Sequence, residues 1–428
     1  MNGLIQSKKC KYMAKRFLGE ESFGRVLQCV KLDTFETVAV KVAERECDRM
    51  LWKEAGAVKK MSALDKDRCN LLKYYKIFEY KYCAFISMEM LDISLHYFLN
   101  QRYRHPLALF EIQVILKQML VALSTLKSIG IMHADIKPDN IMLVNQSRQP
   151  FKVKLIDFGY ATPPVNIPCG AIIQALGYRA PEVMLGIPVT ESADMWALGS
   201  VAAFLYFGYH LFIHMLGQPN DRILEKGKHS KKYFWKRKGI MKDTWVLKTP
   251  AQYSVSTGTV IKRSKTITCM EDLAKHHPQP NTESEVEDTV AFLSLLKWML
   301  CVDPVKRITP VEGLGHRFIT VKHLPEVPAV DCYAESSRMS MKVCPPLSLE
   351  NEIENFVTSS EIIKSENRAE EDLDCLPLLT TARLQLKSKE TDRKEQLHAT
   401  TISLYLVGLH GMQKMTCLVG WVSKKHMI

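Results

Sequence analysis

Three short motifs follow one another in the middle of the chain. Residues 133–140 read HADIKPDN, the triplet DFG occupies residues 157–159, and APE occupies residues 180–182. Each triplet alone occurs by chance in many proteins, but three in this order at these spacings do not. Carboxylates, an amide and a lysine so arranged are the groups that phosphoryl transfer needs, because that chemistry is mostly positioning and neutralisation of charge.

Each polar side chain of this set fits one task. Asp157 and Asn140 offer hard oxygen ligands for Mg²⁺. Asp135 can accept the hydrogen bond of a substrate hydroxyl and take its proton late in the reaction. Lys137 places a cation at the migrating phosphate. The alternative, a set of unrelated polar residues in a surface loop, accounts for the residue types but not for their order.

A lysine and a glutamate upstream form a second candidate pair. Residues 38–41 read VAVK on a predicted strand, and Glu54 lies 13 residues after Lys41 on a predicted helix. A buried lysine held by a helix glutamate can bind the α- and β-phosphates of ATP. Taken by itself, the pair could equally be an ordinary surface salt bridge.

A glycine pair precedes this lysine. Residues 19–26 read GEESFGRV, so Gly19 and Gly24 stand where a glycine-rich phosphate lid would lie. Glu21 occupies the place of the central glycine of such lids and brings a like charge towards the phosphates. We expect weaker ATP binding, but not its loss, since the backbone amides remain.

The elements that must position these residues divide the chain into two lobes. Residues 11–91 show short alternating apolar runs and one helical stretch at 49–61, which predicts a small sheet with one helix. From residue 92 to 320 the periodicity is mainly helical, and residues 195–207 are apolar nearly all round, as in a buried helix. The predicted class is α+β, with a small β-rich N-lobe and a larger α-helical C-lobe.

Composition excludes several classes of protein. The chain has 428 residues, of which 46% are apolar, so it is too apolar to be a disordered tail. No run of about 18 uninterrupted apolar residues occurs, and we expect neither a signal peptide nor a membrane association. The 12 cysteines form no CxxC pair, which disfavours zinc knuckles and disulfide scaffolds.

A basic cluster lies between Lys226 and Lys238, where seven lysines and arginines occur without an acid around the aromatic run 233–235. It can be a solvated loop, a nuclear-import signal or an anion-binding patch. We expect no direct binding of nucleic acid.

Residues 321–428 are rich in glutamate, serine and lysine and are predicted to form a weakly ordered tail. The apolar end after Ile402 fits a docking helix, a strand pair or an artefact of the gene annotation.

The motifs together resemble the eukaryotic protein kinases over residues 11–320. The resemblance rests on Gly19, Gly24, Lys41, Glu54, Asp135, Asn140, Asp157, Glu182, Asp194 and Arg307. Six further strings resemble the homeodomain-interacting branch of the dual-specificity tyrosine-regulated kinases: HAD at 133–135, IMLV at 141–144, SRQP at 147–150, IDFG at 156–159, LKTP at 247–250 and KRITP at 306–310.

The resemblance implies an ATP- and Mg²⁺-dependent kinase of protein serine and threonine, as Lys137 indicates. Its catalytic residues would be Asp135, Lys137, Lys41 and Glu54, with Asn140 and Asp157 on the metal. The nucleotide would lie among Leu18, Gly19, Gly24, Val26, Ala39, Lys41, Met88, Glu89, Met90 and Met142. Met88 would be the gatekeeper, with Glu89 and Met90 offering hinge backbone groups. Asp194 would anchor the catalytic loop, and Glu182 would pair with Arg307.

The chain departs from the branch in its activation loop. Ile172 replaces the loop tyrosine, and Leu176 replaces the arginine that helps to hold its phosphate. We therefore expect Ile172, Ile173 and Leu176 to pack in the space of charged groups, with Arg179 paired elsewhere or facing solvent. The chain also reaches Gln218 sooner after Phe212 than the family pattern does.

A pseudokinase scaffold without turnover is the alternative function. Protein substrates, including transcription regulators, and a nuclear location are implied by the family, with the cytoplasm as the alternative.

Overall fold

The computed structural model describes residues 3–8, 10–21, 24–43, 48–208, 218–239, 242–258, 282–325 and 332–344. The strands are β1 (Leu4–Gln6), β2 (Lys11–Glu21), β3 (Gly24–Lys31), β4 (Thr37–Val42), β5 (Tyr74–Tyr80), β6 (Cys83–Glu89), β7 (Ile141–Asn145), β8 (Gln149–Leu155), β9 (Phe234–Arg237) and β10 (Thr244–Leu247). The helices are α1 (Asp48–Lys60), α2 (Leu95–Gln101), α3 (Leu109–Ser128), α4 (Pro181–Leu185), α5 (Ser192–Phe207), α6 (Asp221–Lys226), α7 (Ser230–Tyr233), α8 (Pro250–Thr257), α9 (Glu283–Met299), α10 (Pro310–Gly315), α11 (Arg317–Thr320) and α12 (Cys332–Met341).

The N-terminal part is an antiparallel sheet with the strand order β1-β2-β3-β4-β6-β5. Successive side chains of β4 point to opposite faces, so Val38 and Val40 join an outer cluster around Tyr12 and Phe85. Ala39 points the other way, into the core shared with the C-terminal part. Lys41 follows on this inner face.

Helix α1 packs against the sheet at β6 and is the only helix among the described residues before α2. Its buried side chains include Leu51, Glu54 and Ala55, whereas Lys59 and Lys60 are exposed. The bilobal α+β architecture, with a small β-rich lobe carrying one helix and a larger helical lobe, is confirmed.

The C-terminal lobe is built around α3 and α5. Fourteen of the 16 residues of α5 are buried, which explains why its sequence is apolar on every face. Helix α3 is long and apolar enough to cross a membrane, but 72% of its most apolar window is buried inside the protein. It is the central core helix of this lobe, packed by β8, α5, α10 and α12.

The basic cluster at 226–238 is more structured than a solvated loop. Residues 230–233 form α7 and residues 234–237 form β9, which pairs with β10. Phe234 is buried in a small core that also contains Leu185, Leu224 and Trp245. The loop interpretation is therefore wrong for this part, although the lysines and arginine of the cluster remain on the outside.

The tail predicted for residues 321–428 contains a packed helix. In α12, Ala334, Ser337 and Met341 are buried against the C-lobe. The prediction of weak order from residue 321 onwards is thus wrong for residues 332–341. The shortened region after Phe212 and the whole of 345–428, with the apolar end after Ile402, lie outside the described residues.

Candidate active site

The loop between α3 and β7 carries the catalytic motif, and a buried aspartate of α5 holds it. Asp194 accepts hydrogen bonds from the backbone N–H of His133 at 2.6 Å and of Ala134 at 3.0 Å. Ala134 has φ of 66°, a strained left-handed conformation for a residue with a side chain. Burial raises the pKa of Asp194, while its two N–H donors act in the opposite direction. The predicted anchoring role of Asp194 is what the geometry shows.

His133 is fully buried and fixes the next turn of this loop. Its Nδ1 accepts from the backbone N–H of Asp135 at 3.2 Å, so its Nε2–H donates to the carbonyl of Ile156 at 2.9 Å. The ring also lies edge-on to Phe158. His133 therefore joins the 133–140 motif to the segment that leads into Asp157.

Asp135, Lys137 and Asn140 converge at the end of this loop. The Nζ of Lys137 lies 2.7 Å from Oδ2 of Asp135, and Nδ2 of Asn140 lies 3.0 Å from the same oxygen. Burial lowers the pKa of Lys137, but the carboxylate of Asp135 more than offsets this, so the net shift is upward and Lys137 stays charged. No hydrogen bond to Oδ1 of Asp135 occurs within the described residues, which leaves that oxygen free to accept a hydroxyl.

Lys41 joins the two lobes across the cleft. Its Nζ lies 3.0 Å from Oε2 of Glu54 on α1 and 3.3 Å from Oδ1 of Asp157. Lys41 and Glu54 are both almost fully buried, so the surface salt-bridge alternative for this pair is wrong. Burial raises the pKa of Asp157, but the charge of Lys41 and the N–H of Gly159 outweigh it and the net shift is downward. The carboxylate of Asp157 is therefore ionised at neutral pH.

Tyr74 and Phe158 hold this arrangement from the interior side. The hydroxyl of Tyr74 donates to Oε1 of Glu54 at 3.0 Å, so each carboxylate oxygen of Glu54 has a partner. Phe158 is fully buried, and its ring lies edge-on to those of Tyr74 and His133. The burial of Phe158 places the adjacent Asp157 in the cleft, where a metal ion and phosphates can reach it.

The apolar residues predicted around the nucleotide all pack into the same core. Ala39 and Met88 are buried members of this core and are paired in register on β4 and β6, and the others lie at its edge: Leu18, Val26, Met90 and Met142. Val26 pairs with Lys41 in register. Five strands and the connection after β6 thus contribute these side chains to the core next to Lys41.

The lid between β2 and β3 needs its second glycine. A Cβ on Gly24 would lie 2.3 Å from the carbonyl oxygen of Val42, a distance that real Cβ atoms do not adopt. A Cβ on Gly19 would meet no atom within 4 Å. Glu21 ends strand β2, but its side chain lies outside the described residues, so the expected repulsion of phosphates stays a prediction.

The activation segment corrects one expectation and confirms two. Ile172 and Leu176 are 73% and 77% exposed, so they do not fill the space of charged groups, although Ile173 does pack on the core. Arg179 pairs elsewhere, as expected: it donates to the carbonyls of Ile173 and Gln174 at 2.9 and 2.8 Å. The side chains of Ile172 and Leu176 can point outwards because the hydrogen bonds from Arg179 to backbone carbonyls fix this part of the segment.

The segment ends in a buried ion pair. Arg307 donates to both oxygens of Glu182, at 2.6 and 2.9 Å, and its guanidinium lies 5.2 Å from the ring of Trp196. Both side chains are fully buried, so this two-point pairing is of the strong, geometrically specific kind. The predicted pairing of Glu182 with Arg307 is confirmed.

One cation near the cleft was not found by sequence reasoning. Lys154 of β8 is buried, and its Nζ lies 2.7 Å from Oε1 of Glu89 and 2.5 Å from Oδ1 of Asp67. Glu89 ends β6, where the two lobes connect, so Lys154 ties the hinge to the C-terminal lobe. The sequence signal that could have indicated a buried ion pair was the position of Lys154 between apolar residues near the end of β8.

A metal ion would need ligands beyond the protein. Among the described residues, no cluster of three or more His, Cys, Asp or Glu side chains could hold a metal ion. Asn140 and Asp157 nevertheless supply the amide and carboxylate oxygens that Mg²⁺ takes when phosphates complete its shell. The donor set fits a phosphate-dependent Mg²⁺ site.

This fold and site define a protein kinase, and residues 12–319 match the protein kinase domain family. The match covers more than half of the chain, which therefore belongs to that family. The crystal structure of another kinase domain superimposes with a TM-score of 0.61 at 27% identity, covering 72% of this chain and 95% of that one.

The chain is similar to homeodomain-interacting protein kinases, which confirms the predicted branch. It is 35% identical over 354 residues to homeodomain-interacting protein kinase 1 of Mus musculus, covering 78% of this chain and 29% of that protein. It is 36% identical over 354 residues to kinase 2 of Mesocricetus auratus (78% and 30%), and 29% identical over 369 residues to kinase 4 of Homo sapiens (79% and 60%). The chain thus spans about a third of the length of the first two relatives.

Proposed function

We propose that this chain is an ATP-dependent protein serine/threonine kinase that requires Mg²⁺. The single observation that supports turnover best is the simultaneous contact of Lys41 with Glu54 and Asp157. Phosphoryl transfer in kinases needs both the lysine–glutamate pair and the metal-binding aspartate in place. The contacts of Lys41 with Glu54 and with Asp157 therefore support the proposal.

The chain's residues divide the work as follows. Oδ1 of Asp135 accepts the hydrogen bond of the substrate hydroxyl and takes its proton as the oxygen bonds to the γ-phosphorus. The bond from the γ-phosphorus to the bridging oxygen breaks, and ADP leaves. Lys137 and Lys41 offset the charge on the phosphates, and the cleft residues around Ala39 and Met88 exclude water from the adenine. Mg²⁺ held by Asn140 and Asp157 would neutralise the phosphate oxygens.

A pseudokinase scaffold is the second candidate. Glu21 in the phosphate lid and Ile172 in the activation segment favour it. Against it, Lys41, Glu54, Asp135, Asn140 and Asp157 are all present, and Lys41 contacts both Glu54 and Asp157 while Asn140 contacts Asp135. We therefore infer catalysis in preference to a purely structural role.

Purified full chain with Mg·ATP and a general protein substrate tests the proposal. We expect radiolabel on serine and threonine from [γ-³²P]ATP, and none from Asp157→Ala at equal concentration. Equal label from the wild type and Asp157→Ala would show that the site has been assigned wrongly. ATP binding without any label would favour the scaffold.

We further propose protein substrates that include transcription regulators, because the relatives are named for their interaction with homeodomain proteins. We also propose nuclear residence, since substrates of that class act in the nucleus. The basic side chains of the 226–238 cluster are mostly on the surface, which leaves them accessible to an import receptor. Replacing Lys231, Lys232, Lys236, Arg237 and Lys238 with glutamine should move a fluorescent fusion to the cytoplasm. An unchanged distribution would remove the cluster as an import signal.

A further inference from the structure

A cavity of about 740 Å³ lies behind α1, on the side of the helix away from the cleft. Helix α1 contributes Trp52, Ala55, Gly56 and Lys59, which follow one another at the three- and four-residue spacing of a single helix face. The opposite wall is formed by the connection 62–67 and by β5. The small side chains of Ala55 and Gly56 leave the hollow, and a Cβ on Gly56 would meet no atom within 4 Å.

The rim of this cavity is positively charged. Of its acids, Asp67 is paired with Lys154, and Asp65 accepts the backbone N–H groups of residues 67 and 68. Lys59, Lys66 and Lys73 also line the cavity, so its cations outnumber these two acids. The cavity therefore suits an apolar segment flanked by carboxylates.

The chain itself leads to this place. Residues 342–344, which follow α12, line a smaller cavity of about 340 Å³ together with Asp67 and Arg68. Asp67 also lines the larger cavity, so the two hollows adjoin. The nine residues from Cys344 to Ile353 can span at most about 30 Å when extended. The segment that starts near residue 347 is therefore within reach of the larger cavity.

The chemistry of that segment matches the cavity. Residues 347–357 read LSLENEIENFV, in which three glutamates lie among five apolar residues, Leu347, Leu349, Ile353, Phe356 and Val357. Ile353 and Phe356 offer apolar side chains for the hollow beside Gly56, and Glu350, Glu352 and Glu354 offer carboxylates for the lysines of the rim. We propose that residues 347–357 bind in the cavity behind α1 of the same chain.

The cavity is connected to the candidate active site through one side chain. Tyr74 lines the cavity, and its hydroxyl donates to Oε1 of Glu54 at 3.0 Å. A segment bound against α1 and β5 would restrict the helix that carries Glu54 and stabilise its contact with Lys41. This regulatory consequence rests on the proposed kinase function, whereas the binding itself does not.

Photo-crosslinking in the full chain tests the binding. p-Benzoylphenylalanine at position 356 should crosslink to residues 52–77 within one molecule, and the same group at position 379 should not. Gly56→Phe, which fills the hollow, should abolish the crosslink, and Gly56→Ala should retain it. A crosslink from position 356 to another surface, or one found only between two copies, would overturn the proposal.

Hydrogen–deuterium exchange provides a second readout that does not depend on the fold of a cavity variant. The pair Ile353→Asp and Phe356→Asp should increase amide exchange in α1 and β5 at least threefold, while the control Leu378→Asp and Leu379→Asp should not. Unchanged exchange with the first pair would contradict the proposal. Neither readout requires turnover, so a chain that transfers no phosphate would fail the proposed function and leave this inference standing.

If the proposed kinase function and the proposed binding of residues 347–357 both hold, the rate of phosphoryl transfer should fall at least threefold in two variants. These are Gly56→Phe and the pair Ile353→Asp with Phe356→Asp. Gly56→Ala and the 378/379 pair should keep the wild-type rate. A docking variant that loses its crosslink but keeps its full rate would show that the segment binds without acting on Glu54.

Discussion

The Nζ of Lys41, on β4 of the small lobe, lies 3.3 Å from Oδ1 of Asp157, which follows β8 in the large lobe. The two residues are 116 positions apart in the chain. Glu54, on a third element, binds the same ammonium. A substitution at any one of these three residues therefore changes the electrostatic environment of the other two.

Lys41→Met should reduce phosphoryl transfer at least a hundredfold, about 2.7 kcal/mol of transition-state stabilisation. It removes the cation that positions the phosphates and leaves two carboxylates facing each other. The circular dichroism spectrum should be retained, with a lower Tm because Glu54 loses its buried partner. Lys15→Met, at an exposed position on β2, is the control. A rate within fivefold of the wild type would contradict the role of Lys41.

Asp194→Asn should lower the rate at least tenfold and the free energy of unfolding by about 2 kcal/mol. The amide presents one oxygen where two backbone N–H groups now find acceptors, so one donor is left unpaired in the core and the strained Ala134 loses support. Urea denaturation and steady-state kinetics measure both effects. Glu191→Gln, which breaks only a half-exposed ion pair, should change neither by much.

Acid should destabilise the protein partly through His316, which lies between α10 and α11. Burial, with the nearby Arg317, lowers its pKa to about 3. Between pH 6.5 and pH 3 this histidine binds a proton in the unfolded chain but stays neutral in the folded chain. The free energy of unfolding therefore decreases as the pH falls through this range. From pH 7 to pH 5 this amounts to about 2 kcal/mol.

His316→Asn should remove this part of the pH dependence. Asparagine can replace the Nδ1 of His316 as acceptor from the backbone N–H of Phe318, which caps α11. Urea denaturation at pH 7 and pH 5 measures the difference. An unaltered loss of stability in the variant would assign the pH dependence to other groups.

Gly56→Ala should raise the free energy of unfolding by about 0.5 to 1 kcal/mol, because alanine has the higher helix propensity and restricts the unfolded chain. Gly56 is an exposed interior position of α1, and its new Cβ meets no atom within 4 Å. Gly313→Ala is the contrast, since its Cβ would lie 3.0 Å from Cδ2 of Leu120. A destabilised Gly56→Ala would show that the hollow behind α1 does not tolerate a methyl group.

Activity should not depend on phosphate in the activation segment. Arg179, a usual kind of phosphate partner, already donates to two backbone carbonyls, and Thr162 is the only hydroxyl between Tyr160 and Tyr178. Phosphatase treatment and Thr162→Ala should each change the rate less than tenfold, about 1.4 kcal/mol. A larger fall in either case would show that a loop phosphate matters.

Sequence reasoning located the residues whose chemistry depends on type and spacing. The positions of Lys41, Glu54, Asp135, Asn140 and Asp157 follow from motifs, and the structure brings them to one cleft. The polar support around them was missed. Tyr74 and Lys154 meet partners far away in the chain, and no local pattern encodes such a distant pairing.

Apolar pattern was misleading in two places. Ile172 and Leu176 were expected to pack because they are apolar, but both are exposed. The segment is held by hydrogen bonds that Arg179 donates to backbone carbonyls and that Gln174 accepts from the N–H of Ala180. Helix α12 was missed for the opposite reason. It is short and polar, and two of its attachments are hydrogen bonds, from Tyr333 to Asp288 and from Ser337 to Gln113.

The attachment of α12 sets a practical limit for anyone who prepares part of this protein. The stretch that matches the kinase family ends at residue 319. A fragment cut there would expose the surface of α3 beneath Ala334 and leave Asp288 and Gln113 without two of their partners. Recombinant material intended for crystallisation or inhibitor screening should therefore extend through Cys344, since the shorter version would be more prone to aggregate than the intact domain.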